Sequence, residues 1–157
     1  MAAGGLIYTA VGENISITSA AQDIIEVIAA AGVSILIHSV RLTIIPTIVS
    51  GVAQDVRLRL RQQQRTTTGS GGAGVTPRAV NRRNTVAAVT TVNQLVTTPG
   101  TTGNAWGADA VSVIVPYERV YTADQRIPVS GGSRWNLERV AANGAFSASY
   151  EMFFEEI

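Results

Sequence analysis

The sequence predicts an all-β domain, an antiparallel β-sandwich of jelly-roll or Greek-key type with two long loops. Apolar residues recur at a spacing of two along several short segments, which is the period of a half-buried strand. Two polar stretches rich in Gly and Thr separate these segments, an arrangement typical of sandwiches and jelly rolls. The 157 residues suit one domain, so we predict a single β-sandwich domain over residues 1–157.

The clearest strand is the last one, in which polar and acidic residues alternate with an apolar face made of Phe146, Ala148, Tyr150, Met152 and Phe154. Residues 55–61 repeat the pattern with a different outward face. Val56, Leu58 and Leu60 are predicted to point into the core. The residues that alternate with them are predicted to face outward and to form a row of arginines, namely Arg57, Arg59 and Arg61.

Further strands are predicted over 14–18, 24–29, 33–45, 111–115, Ile127–Val129 and Arg134–Val140. An alternative for 20–31 is a helix capped by Ser19, although its isoleucines and the glycine turn that follows favour a strand. In 33–45, Leu36, Val40, Leu42 and Ile44 are predicted to face the core. Ile35 and Ile37 then fall on the outward face, which predicts that this end of the strand is covered on both sides.

Two segments are predicted to be loops: a Thr/Gly-rich loop over about 62–84 and a second loop over 97–109 that carries Trp106 near its end. The glycines at 69–74 do not form a Walker phosphate loop, because such a loop needs a lysine and the chain has none. We therefore interpret them as flexible and expect 66–84 to be the most mobile part of the chain, or to be ordered only by a neighbouring subunit.

Candidate catalytic groups are few, and we predict a chain that is not an enzyme and binds no cofactor or metal. Cysteine is absent and His38 is the single histidine, too few for the usual zinc or copper sites. We interpret His38 as a hydrogen-bonded core residue. The acidic pairs Asp23 with Glu26 and Glu155 with Glu156 are interpreted as solvated surface rather than as glycosidase carboxylates.

Low charge predicts a homo-oligomer. Charged residues make up 15% of the chain, against roughly 25% in typical soluble domains, so apolar surface remains to be covered. All 12 basic residues are arginine and the net charge is +1, which indicates neither a nucleic acid nor a membrane as partner. The candidate partner-interface residues are Arg57, Arg59, Arg61, Trp106, Trp135, Ile35 and Ile37.

Two groups among these candidates, the arginine row and the two tryptophans, have alternative interpretations that the sequence leaves open. The arginine row is either a docking surface for an acidic partner or the charged edge of a sheet that resists aggregation. Trp106 and Trp135 are either anchors for a partner or sugar, or loop residues packed on the core.

The order of these segments resembles the jelly-roll head decoration, or cement, proteins of tailed bacteriophages. The resemblance rests on IYT at 7–9, AAQDIIEV at 20–27, IHSVRL at 37–42, LRLR at 58–61, the Thr/Gly-rich segment, AW at 105–106 and MFFEEI at 152–157. The chain departs from the family in lacking lysine and in the apolar stretch IIPTIV at 44–49.

That resemblance implies a non-enzymatic structural protein of the virion, assembled in the host cytoplasm. It implies a protein that binds the major capsid protein or another virion protein and stabilises the assembled head. From the low charge content and the outward-facing Ile35 and Ile37 we predict that this protein is a homotrimer. The alternative is a lectin-like module of a phage tail or fibre, which would recognise a glycan or another virion protein.

Overall fold

The computed structural model describes residues 5–18, 20–45, 57–81, 83, 85–112, 115–140 and 145–157, with backbone alone at 57–59, 111 and 112. These residues form twelve strands. They are β1 (Leu6–Ile17), β2 (Gln22–Ile28), β3 (Ile35–Ile45), β4 (Arg57–Arg65), β5 (Ala73–Val75), β6 (Arg78–Ala79), β7 (Thr91–Val96), β8 (Thr102–Ser112), β9 (Tyr117–Val120), β10 (Ile127–Val129), β11 (Arg134–Val140) and β12 (Phe146–Glu156). Within the described ranges there is no helix that could cross a membrane.

The strands pair in the order of a jelly roll, a fold of two packed antiparallel sheets. β1 pairs with β12, β2 with β11, β3 with β9 and β10, and β4 with β8. β9 and β10 follow each other along one side of β3, so together they occupy the place of one strand. The predicted all-β sandwich is therefore confirmed.

An insertion over 66–101 separates β4 from β8 and contains the three additional strands. β7 pairs with β2, β5 pairs with β7, and β6 pairs with β1, so the insertion extends both sheets on the side of the sandwich opposite β8, β9 and β10. A bridge between Ser70 and Thr98 closes the insertion on itself.

Both predicted loops need correction. The segment 62–84 is not one loop, because β4 continues to Arg65 and β5 and β6 follow within it. The segment 97–109 is mostly β8, whose small residues lie against β4. Their Gly and Thr content suggested a loop, but pairing with a neighbouring strand outweighs that local preference. Because contacts within the chain hold 66–81, the structure gives no support to its predicted mobility.

The predicted alternation of β12 is confirmed, since Phe146, Ala148, Tyr150, Met152 and Phe154 are all buried. Leu60 of β4 is buried as predicted, and Ile15 and Ile17 in the predicted strand over 14–18 are buried as well. Residues 22–28 form a strand, so the helical alternative for 20–31 is wrong. Val56 lies outside the described residues, as does the side chain of Leu58.

The prediction for Ile35 and Ile37 is wrong, because both are fully buried in the core between the sheets. A bulge in β3 explains the error. Phe153 of β12 pairs with Ser39, whereas Phe154 pairs with Ile37, so His38 is an extra residue. One extra residue exchanges the two faces of a strand. Ile35 and Ile37 are therefore core residues and do not belong to a partner interface.

The adjacent residues Phe153 and Phe154 test this assignment of faces. The Phe154 ring lies 5.8 Å from that of Tyr8 in the core, whereas Phe153 is only partly buried. Phe154→Ala should lower the free energy of unfolding by about 3–5 kcal/mol through loss of buried area and formation of a cavity. Phe153→Ala, the matched control, should cost about 1 kcal/mol. Equal costs in urea unfolding would contradict the assignment.

Candidate functional site

The arginine row of β4 lies inside a sheet and not at its edge. β4 is flanked by β11 and β8, so the interpretation of the row as a charged sheet edge is wrong. The side chains of Arg57 and Arg59 lie outside the described residues. Arg61 is 38% exposed, and its guanidinium lies 3.8 Å from Glu138 and donates to Gln63 at 3.3 Å. Its charge is therefore partly compensated within the chain.

Further along the same outward face of β4, Arg65 is buried in a group of charged and polar side chains. Its Nη2 donates to Asp23 Oδ1 at 2.8 Å and lies 3.1 Å from Glu138 Oε1. Asn136 Nδ2 donates to the second oxygen of Asp23 at 2.9 Å. We name Asp23, Glu26, Arg65, Asn136 and Glu138 the buried ionic cluster.

The insertion is hydrogen-bonded to this cluster through Glu26. Glu26 accepts the backbone N–H of Gly69 and the side-chain amide of Asn93, each at 3.0 Å. Gly69 lies so close to the Val96 side chain and the Thr98 carbonyl that a Cβ would have no room. On the other sheet, Glu156 accepts the N–H groups of Val89 and Thr90 at 2.9 and 2.8 Å. Two carboxylates thus attach the insertion to the jelly roll.

The interpretation of Asp23 and Glu26 as solvated surface is therefore wrong, since both are fully buried. Exposed acids are the norm, but here arginine, asparagine and backbone donors compensate the charges. Burial raises the pKa of Asp23, while the hydrogen bond and charge of Arg65 oppose that rise. Both carboxylates are committed to structural contacts.

His38 forms a hydrogen bond, as predicted, but with a partly exposed partner and not in the core. Its Nε2 lies 3.0 Å from Glu155 Oε2, and both side chains are 15% exposed. Arg126 donates to the same carboxylate oxygen at 3.3 Å. Among the described residues no group of three His, Cys, Asp or Glu side chains has the arrangement of a metal site.

The two tryptophans occupy opposite environments. Trp135 is fully buried between the sheets, so its assignment to a partner interface is wrong and its packing on the core is confirmed. Trp106 is 49% exposed. It lies at a bulge in β8, because Gln62 of β4 pairs with Gly107 and Gln63 pairs with Ala105. Trp106 is thus the extra residue of this bulge.

Trp106 borders a groove between β8 and the interrupted strand β9–β10, with a volume of about 350 Å³. We name it the Trp106 groove; its principal lining residues are Gln62, Trp106, Asp109, Arg119, Val120 and Tyr121. It lies on the side of the sandwich where β8 ends one sheet and β9 and β10 end the other.

A hydrogen-bond network fixes the polar wall of this groove. Gln62 donates to the Tyr117 hydroxyl at 2.8 Å and accepts from the Tyr121 hydroxyl. Tyr117 donates to Asp109 at 3.1 Å, and Arg119 forms two hydrogen bonds with the same carboxylate. Burial raises the pKa of Tyr117 to about 12, so its hydroxyl stays protonated. The wall is thus held together by hydrogen bonds, and the charges of Asp109 and Arg119 balance.

Sequence reasoning singled out Trp106 but missed Asp109, Arg119 and Tyr121. The spacing of two between Tyr117, Arg119 and Tyr121 could have placed these three on one face of a strand. No pattern in the sequence predicts the contact between Asp109 and Arg119, because the two residues lie on strands of different sheets.

Comparison of this chain with models of protein families, with curated proteins and with solved structures finds no match.

Arg65→Met tests the buried ionic cluster. Removing one partner leaves the buried Asp23 carboxylate without its cation, which should cost about 3–5 kcal/mol at pH 7. Without Arg65, the pKa of Asp23 rises further. A carboxyl whose folded pKa exceeds its unfolded pKa contributes stability at low pH and loses it as the pH rises through the folded value. The difference from wild type should therefore shrink between pH 7 and pH 4.

Arg61→Met is the matched control, because Arg61 is partly exposed and its ion pair is long. It should cost about 0–1 kcal/mol. Urea unfolding of both variants at both pH values measures the effects. A cost for Arg65→Met that equals that of the control would show that the cluster contributes little to the free energy of unfolding. A cost that grows on acidification would contradict the expected rise in the pKa of Asp23.

Proposed function

We propose that the chain is a non-enzymatic virion protein that decorates and stabilises an assembled phage head. The observation that carries this proposal is the jelly-roll strand order, which the resemblance to head decoration proteins implies. The commitment of Asp23, Glu26 and His38 to structural contacts also supports a binding role over catalysis.

The proposed partner is the major capsid protein or another virion protein, and the proposed location is the virion, after assembly in the host cytoplasm. With a net charge of +1, the chain has no strong field toward nucleic acid or an anionic membrane. Exposed apolar side chains such as Trp106, Val115 and Val120 leave surface for protein contacts. We further propose that the free protein is a homotrimer, since its low charge content leaves apolar surface that an oligomer would bury.

A second candidate is a lectin-like module of a tail or fibre. Half-exposed Trp106 beside the polar groups of a groove favours it, because aromatic rings and a few fixed polar groups are typical of ligand sites. Trp135 is buried and contributes nothing to it.

Mixing purified protein with purified heads that lack it tests the proposal. Light scattering of the free protein should give about three times the 16.5 kDa of one chain. The protein should then sediment with heads at a saturating stoichiometry and raise the temperature at which they rupture.

Heads that already carry the protein, and heads of an unrelated phage, serve as controls and should bind none. Failure to bind the heads, together with binding to defined glycans on an array, would replace the proposal with the second candidate.

A further inference from the structure

The Trp106 groove concentrates the residue types that dominate protein-binding sites. Trp106, Arg119 and Tyr121 line it together, and tryptophan, arginine and tyrosine are the residues most enriched at binding hot spots. Trp106 is 49% exposed and Val120 69% exposed, so the groove presents an apolar surface. The network through Gln62 and Asp109 fixes its polar wall before any ligand arrives.

Two unpaired strand edges border the groove. β8 pairs only with β4, and β9 pairs only with β3, so within the described part of the chain their outer backbone groups have no strand partner. Such an edge can pair with an extended polypeptide. The bulge at Trp106 interrupts the edge of β8, whereas β9 offers four regular residues, Tyr117–Val120.

Charge and size narrow the choice of ligand. Asp109 and Arg119 neutralise each other, so the groove favours neither an acidic nor a basic segment. Its volume of about 350 Å³ fits one large apolar side chain with small neighbours.

We propose that the Trp106 groove binds a short, extended, uncharged segment of another protein, which pairs with β9 and places a bulky apolar side chain against Trp106. The edges that flank the groove favour a polypeptide over a sugar, because a polypeptide supplies the matching row of backbone donors and acceptors. This site does not depend on a role in the virion.

Selection from a library of random twelve-residue peptides displayed on filamentous phage tests the site. The selected peptides should share an aromatic or large aliphatic residue with uncharged neighbours. Trp106→Ala should weaken their binding at least about tenfold, as expected for a hot-spot residue. The matched control Val80→Ala alters a residue of similar exposure, 47%, just after β6 at the opposite side of the sandwich, and should change binding less than twofold.

Tryptophan fluorescence gives a second readout that needs no truncation. Trp135 is fully buried, so quenching by acrylamide reports on half-exposed Trp106. A bound synthetic peptide should protect the fluorescence of Trp106 from acrylamide. Trp106→Phe should remove the quenchable part of the protein's fluorescence. Hydrogen exchange should slow at β9.

Three outcomes would overturn the proposal. They are a library that yields no binder, peptides that bind Trp106→Ala as well as wild type, and peptides that leave Trp106 open to acrylamide. Binding of neutral glycans that is lost in Trp106→Ala, with no peptide selected, would identify a sugar site instead.

Discussion

Charged side chains buried on the outer face of a sheet impose the main constraint on this fold. The ion pair between Arg65 and Asp23 lies on the face of its sheet that points away from the core and is nearly inaccessible to solvent. Burial of such a pair costs free energy that neighbouring polar groups must offset. Asn136 donates to Asp23, whereas Arg65 Nε has no hydrogen-bond partner among the described residues. The sandwich core does not cover this face, so another part of the chain must.

The insertion between β4 and β8 lies against the Glu26 part of the buried ionic cluster, where Gly69 N–H and Asn93 donate to the carboxylate. Its contacts with Glu26 and Glu156 join it to both sheets, and β5 and β7 extend the sheet beyond β2. On one lateral side of the eight-strand jelly roll the insertion thus supplies the outermost strands, β5 and β6. On the other side, β8, β9 and β10 are the outermost strands and have no further strand beyond them among the described residues. The Trp106 groove lies on this second side.

Features that depend on local periodicity could be predicted from the sequence. Features that depend on a single inserted residue or on a contact between distant residues could not. The alternation of β12 identified every buried residue of its inner face, because the extra residues at its irregular pairings lie on β1 and β3 and not on β12 itself. In β3 the extra residue His38 exchanged the two faces, so Ile35 and Ile37 were assigned to the wrong side. A bulge can be recognised from the spacing of apolar residues only when the alternating segments on both sides of it are long.

The candidate sites likewise contain residues that the sequence could single out and contacts that it could not predict. Asp23 and Glu26 resemble surface acids in sequence, and only the fold brings Arg65, Asn136 and Gly69 to them. Trp106 was recognisable as an unusual residue in a Gly/Thr context, but its groove requires β8 and β9 from different sheets. Composition was a poor guide to the insertion, where close packing excludes a Cβ at Gly69.

Native-state hydrogen exchange at the Gly69 amide measures how strongly the buried Glu26 carboxylate holds the insertion on the jelly roll. We expect this amide to exchange with a free energy close to that of the β2 amides in the wild type and far more readily in Glu26→Ala. Rapid exchange of the Gly69 amide in the wild type, while the β2 amides stay protected, would contradict this expectation.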